Sequence, residues 1–149
     1  MTPHHFALLH AACFTTPAPW SVDAIAGVLA DPSCHLVVDD AIHPRGFALF
    51  RAVMDEAELL TIAVHPDVRR QGIAVRLIRQ GLAELSHAKV CFLEVAVSNV
   101  SARALYAQLG FAQAGLRRGY FAHSDGRRED ALILKATLPL PARDTRFSC

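Results

Sequence analysis

The chain has 149 residues, 52% of them hydrophobic, and a formal net charge of +1 from 15 basic and 14 acidic side chains. That length and apolar content suit one globular domain with a core of its own. The balanced charge argues against a general nucleic-acid or acidic-surface binder, and no apolar run approaches the ~20 residues of a membrane span.

The start of the chain has no basic leader and opens on a helix signal, so no signal peptide is expected and the expected location is cytoplasmic. Cys13, Cys34, Cys91 and Cys149 are scattered without a CxxC pair. Three of them lie in apolar runs, which points to buried reduced thiols and away from disulfides or zinc. The histidines show no HxxxH or HExxH spacing, so no metal site is expected.

In chain order, Thr2-Pro3 caps a first helix carrying Phe6, Leu8, Leu9, Ala12 and Cys13 at helical spacing. TTPAPW breaks it. Ser21 caps a second helix with Val22, Ile25, Val28 and Leu29 on one side, ended by Asp31-Pro32. Segments 34–38, 46–53 and 56–64 read as strands with connections short enough for antiparallel neighbours. A helix follows to about Ser86 with Ala74, Leu77, Ile78, Gly81, Leu82 and Leu85 on one stripe. Then come a strand over 89–97, a helix over 101–110 closed by Gly110, and strands over 111–121 and 129–138 around the polar loop AHSDGRR. The expected fold class is α/β, a mixed, mostly antiparallel sheet with helices on both faces. The unit 56–97 is a right-handed crossover between parallel strands. Residues 1–138 form the domain, and 139–149 read as a proline-broken, loosely held tail.

Residues 64–74 read VHPDVRRQGIA, a turn between a strand end and a helix start. Unpaired N–H groups at a helix N-terminus bind phosphate. Gly72 and the small Ala74 allow close approach, and Arg69 and Arg70 add charge. Neither a Walker loop nor a GxGxxG fingerprint is present. Alone, the short motif is equally well read as an ordinary helix start with exposed arginines.

Strand, RRQGIA, helix, FLEV strand and then NVSARALYAQLGF (99–111) resemble the GNAT superfamily of acetyl-CoA-dependent N-acetyltransferases, over roughly residues 2–138. Within it, PW (19–20), DEAELLTIAVHPDVRRQG, LEVAVSN and RRGYF followed by DGRRED are similar to the RimI-type enzymes, which acetylate the N-terminal alanine of a ribosomal protein. Three departures stand out. The family usually has a strand before its first helix, the loop carries one arginine more than the usual DGRED, and Gly119 stands where asparagine is common.

The resemblance implies a GNAT fold and acetyl-CoA as cosubstrate, with no metal. The cofactor would be held by Ile62, Ala63 and Val64 where two parallel strands splay, by Arg69, Arg70, Gln71, Gly72, Ile73, Ala74 and Val75, and by Asn99. Glu94 is the candidate base: it lies mid-strand on the side of Phe92 and Ala96, where partial burial would raise its proton affinity, although a strand glutamate can also simply face solvent. Tyr106 is the candidate acid, with core packing as its rival role. A phenol of pKa about 10 protonating a thiolate of about 8.5 is uphill by roughly 2 kcal/mol, which favours a hydrogen bond to the sulfur over proton transfer. Asn99 can equally cap its helix. Cys91 precedes Glu94 by three residues and faces the other way, so direct attack of the amine is expected.

A single carboxylate base suits a peptide N-terminus, whose α-amine has pKa near 8, better than a lysine near 10.4, a gap of roughly 3 kcal/mol. Trp20, Tyr120 and Phe121 are candidates to line the acceptor groove, with Asp125, Glu129 and Asp130 available to a basic substrate residue. Two alternatives stay open: a GNAT enzyme of a small amine, and a CoA-binding sensor without turnover. The expected partner is thus a protein N-terminus, with a ribosomal protein among the candidates, or a small amine, on a monomer or weak homodimer.

Overall fold

The computed structural model describes residues 2–13, 20–69 and 71–142. The elements are α1 (Pro3–Cys13), α2 (Val22–Ala30), β1 (Cys34–Val38), β2 (Gly46–Val53), β3 (Glu56–Val64), a 3₁₀ turn (Pro66–Val68), α3 (Ile73–Glu84), β4 (Val90–Ala96), α4 (Val100–Gln108), β5 (Ala112–Ala122) and β6 (Arg128–Thr137). Among the described residues these strands form one sheet in the order β1-β2-β3-β4-β6-β5. The β3–β4 pair is parallel and every other pair antiparallel. The expected crossover is therefore present, with α3 as its helix. No strand precedes α1 among the described residues, so β1 is the sheet's first edge.

Two cores flank the sheet. Ile73, Leu77, Ile78, Leu82 and Leu85 of the α3 segment pack with Val37, Ala48, Phe50, Leu59, Leu93, Val95 and Leu134 on one face. Ala74, expected in that stripe, is only half-buried, and Ile73 takes its place. Gly81 lets α3 sit directly on the sheet, since a Cβ there would meet the Phe50 ring at 2.3 Å. On the opposite face Phe6, Leu9 and Ile25 of α1 and α2 cover Phe47, Leu49 and Ala63. Fully burying one such aliphatic or aromatic side chain contributes about 1.5–3 kcal/mol. In α1 the inward residues are Phe6, Ala7, Leu9, His10 and Cys13, whereas Leu8 and Ala12 face solvent, so an alanine and a histidine replace the expected pair. The break after α1 at 14–19 lies outside the described residues.

The tail is better held at its start than its prolines suggest. Leu138 and Leu140 pack on the main core, and Arg79 Nη1 donates to the Pro141 carbonyl at 2.9 Å. Residues 143–149 lie outside the described residues. Among the described residues no helix is long and apolar enough to cross a membrane.

His10 ties the two α helices to the sheet. The Trp20 backbone N–H donates to His10 Nδ1 at 3.0 Å, so that nitrogen carries no proton. Nε2 then bears the hydrogen and donates to Thr61 Oγ1 at 2.8 Å. Burial of this neutral ring pushes its pKa down from 6.5 to about 4. The unfolded chain takes up the proton near pH 6.5 and the folded one only near 4. His10's contribution is therefore complete above about pH 6.5 and is lost as the pH falls towards 4. Between pH 7.5 and 4.5 that loss is roughly 2–3 kcal/mol. Urea titrations at those two pH values should show it, and His10→Gln, which keeps a donor and an acceptor but cannot titrate, should lose less over the same interval. Identical losses in both proteins would exclude His10 as the cause.

Candidate active site

The parallel strands part where the resemblance places the cofactor. Pairing of β3 with β4 runs from Glu56↔Val90 to Leu59↔Leu93 and stops there. At the same level β3 carries one extra residue against β2, because Phe50 faces Leu59 while Leu49 faces Thr61. This β-bulge at Leu60 bends the strand and flips its faces. Ala57 and Leu59 lie on the α3 side before it, and Ile62 and Val64 lie there after it. His65 N–H donates to the Arg45 carbonyl at 2.7 Å. By the two-residue alternation of an antiparallel ladder, Ala63 also turns its backbone towards β2, leaving the main-chain groups of Ile62 and Val64 on the open edge. Of the three candidate residues here, Ala63 lines the cleft without offering that edge its hydrogen-bonding groups. The Val64 carbonyl accepts from Cys13 Sγ at 3.1 Å and from Arg69 Nε at 3.4 Å.

The opening is part of a cleft of about 760 Å³. It brings together Ile62–Val64, Arg69, Gly72–Val75, Asn99, Glu94 and Tyr106. Gln71 is exposed and does not line it, and Arg70 lies outside the described residues. Gly72 caps α3 with φ 75° and makes no side-chain cap bond. The first amides of α3 are thus left without a side-chain acceptor, while the left-handed turn explains why a glycine stands there. Ile73 contributes its amide to this end and buries its side chain in the core.

Asn99 does cap α4: its side chain accepts from Ala102 N–H at 3.2 Å. The loop that carries it is held from β6, with Ser98 N–H donating to Glu129 Oε1 at 2.6 Å and Val97 N–H to the Asp130 carbonyl at 3.1 Å. Tyr106 is 6% exposed, stacks edge-on against Phe111, and lines the cleft. Both of its readings therefore coincide in space. Burial pushes its pKa up to about 12, which makes proton donation harder than the sequence alone suggests.

Glu94 is half-buried, on the face of β4 away from Cys91. It is not alone. Arg117 Nε lies 3.1 Å from Glu94 Oε1, and Tyr120 lies beside the same carboxylate, whose interaction with the hydroxyl holds the phenol's pKa above its usual value. Arg117 was not among the candidate residues; its signal is a basic residue three before a tyrosine with a glycine between, a spacing that matters only if the strand is irregular. Trp20, Tyr120 and Phe121 all line the cleft. The acids expected to await a basic substrate residue are already engaged. Glu129 pairs with His123 at 2.9 Å, Asp130 Oδ1 accepts from Gly119 N–H at 2.8 Å, and Asp125 pairs with Arg127 at 2.7 Å.

The thiols differ from expectation. Cys91 is fully buried and burial pushes its pKa to about 12, but Cys13 and Cys34 are only half-buried, and Cys13 sits on the cleft wall. Cys149 lies outside the described residues.

The sequence profile of the acetyltransferase (GNAT) family matches residues 4–111. The chain is 39% identical over 118 residues to the ribosomal protein bS18-alanine N-acetyltransferase of Escherichia coli strain K12, across 78% of this chain and 79% of that protein. It is 33% identical over 138 residues to a putative ribosomal protein bS18-alanine N-acetyltransferase of Bacillus subtilis strain 168, across 90% and 88%. The crystal structure of the ribosomal-protein-S18-alanine N-acetyltransferase from Escherichia coli matches with a TM-score of 0.82 at 31% identity, across 97% of this chain and 93% of that one.

Gly72 offers a direct test of the helix-end geometry. A Cβ at position 72 would meet nothing within 4 Å, so the cost of Gly72→Ala lies in the positive φ and not in a clash. That cost is about 1–2 kcal/mol for an L-residue. Calorimetry should show CoA binding weakened by about tenfold as the turn relaxes away from its geometry. An unchanged affinity in a folded variant would remove this turn from the binding site.

Proposed function

This chain belongs to the GNAT family of acetyltransferases, and on that premise we propose that it acetylates the α-amine of a protein N-terminus from acetyl-CoA, with the N-terminal alanine of a ribosomal protein as the preferred acceptor. The observation that supports it most is the splay beyond Leu59↔Leu93, which leaves the edge of Ile62 and Val64, an uncapped helix end, Glu94 and Tyr106 facing one cleft. The acceptor class follows from the relatives, whose names specify a ribosomal alanine, and from the lower cost of deprotonating an α-amine.

The cleft fits the cosubstrate. The free main-chain groups of Ile62 and Val64 would pair with the pantetheine amides as a further strand would, displacing Cys13 and Arg69 from the Val64 carbonyl. The amides of Ile73, Ala74 and Val75, with Arg69 on the same cleft, would take the diphosphate, and Arg70, next in sequence, would add charge. Asn99, besides capping α4, would reach the pantetheine arm. Bound acetyl-CoA supplies the thioester carbon at which an N–C bond forms while the C–S bond breaks. Glu94 takes the proton lost by the amine, directly or through a water. An N–H on the open edge donates to the oxygen where negative charge develops. Tyr106 hydrogen-bonds the departing sulfur; at a pKa of about 12 it stays protonated throughout.

With acetyl-CoA, a peptide starting with alanine should be acetylated on the order of a hundredfold more efficiently than the same peptide blocked at its N-terminus and offering a lysine. Glu94→Gln should keep CoA affinity and lose 10²–10⁴ in kcat/KM, the usual range for a general base. Tyr106→Phe should slow turnover without altering the basic side of the pH profile below about pH 11. A panel of small amines outrunning the peptide would overturn the acceptor assignment, and undiminished turnover in Glu94→Gln would overturn the base.

A further inference from the structure

In a regular strand residues 117 and 120 point to opposite faces. Here β5 slips in register between Arg117 and Phe121, and Gly119 takes φ 59°. Its N–H is held by Asp130 Oδ1 at 2.8 Å and its carbonyl by Arg128 Nε at 2.6 Å. The irregularity turns both Arg117 and Tyr120 onto Glu94. The Arg117 guanidinium also lies 5.2 Å from the centre of the Tyr120 ring. That stack fixes the direction of its N–H groups.

A carboxylate base beside an arriving amine carries a built-in conflict. Bare, it would hold the amine as an ammonium ion, because a nearby opposite charge favours the charged form. Only the neutral amine attacks. A fixed cation on the carboxylate removes this trap while leaving a second oxygen free to accept a proton. Among the described residues Arg117 is the cation within ion-pair distance of Glu94. The other charged groups nearby are Glu56 and Glu58 of β3 and Arg51 of β2, which line the adjoining groove of about 320 Å³, and Lys135 of β6, which lies over the Phe92 ring.

We infer that Arg117 is a positioning residue for acetyl transfer: it aims Glu94 into the splay and cancels its charge, so that an α-amine arriving there is not locked as ammonium. The inference rests on Glu94 acting as the base. It differs from a structural role in what it does to the acceptor, since losing Arg117 should bind the ammonium form at least as well and use it worse.

The Arg117 side chain is 53% exposed, so Arg117→Gln should fold. With the alanine peptide at pH 7 its kcat should fall about tenfold, with an unchanged or lower KM for the peptide. The acid limb of kcat, which reports the bound complex, should move up by about one pH unit, and the KM for acetyl-CoA should not change. Arg117→Lys, which restores the charge, should return the limb to within a few tenths of the parent's. A limb at the parent position with intact kcat would overturn the inference, as would a several-fold higher peptide KM at constant kcat. Measuring Glu94→Gln in parallel separates the failures. An inactive Glu94→Gln beside a parent-like Arg117→Gln overturns this inference alone; an active Glu94→Gln overturns the base assignment and the inference with it.

Discussion

Hydrogen bonding between β3 and β4 ends at Leu59↔Leu93, and each strand then runs on past the last shared bond. A buried main-chain group without a partner costs about 1–3 kcal/mol, so an edge opened inside a sheet has to be satisfied from elsewhere. In this chain the Val64 carbonyl is met by a thiol from α1 and by an arginine folded back from the next turn. Both donors are replaceable: a Cys S–H is a weak one, and Arg69 is exposed. The edge is therefore satisfied without being sealed. That is the condition for a site whose ligand enters as a strand.

The bulge at Leu60 links this opening to the packing. By changing which face the strand presents, it lets one strand serve both cores: Leu59, Ile62 and Val64 on the side of α3, and Leu60 and Ala63 on the side of α1 and α2. Thr61, next to the bulge, holds His10, and His10 holds the backbone of Trp20. The Trp20 wall of the cleft is thus referenced to the same short piece of β3 as the open edge. Displacement of one should be felt by the other, because a buried network with every member bonded has few alternative arrangements.

Much of this was legible from residue order alone. The helix ends, the crossover and the left-handed turn before α3 follow from Thr2, Pro66, Gly72, Asn99 and Gly110, residues whose backbone preferences act locally. The bulge left a trace in the Leu59-Leu60 doublet, after which the apolar positions change phase, but a doublet in a buried strand has other causes as well. His10 was masked by its polarity: helical spacing favoured Leu8 and Ala12, whereas bonds to Thr61 and to the Trp20 backbone help make a histidine acceptable inside. The acids at 129 and 130 looked free because the backbone donors that hold them, Ser98 and Gly119, carry no signal in residue type, although Glu129 also pairs with the His123 side chain. Gly119 is the instructive departure. Glycine and asparagine are the residues that most readily take positive φ, so the substitution preserves the turn that aims Arg117 and Tyr120.

In the proposed mechanism the two ends of the cleft have unequal tasks, and the chemistry explains why they can. A thiolate of pKa about 8.5 leaves without being protonated, so the sulfur end needs a donor and not an acid. Tyr106, buried and shifted up to about 12, would supply there a donor that keeps its proton. The amine end is different, because a proton must be taken away there and passed on. Glu94 is only half-buried and its partner Arg117 is exposed, which gives that proton a short route to solvent. A dry donor at the leaving group and a wet, charge-balanced acceptor at the nucleophile place burial where it strengthens a hydrogen bond and exposure where a proton has to depart.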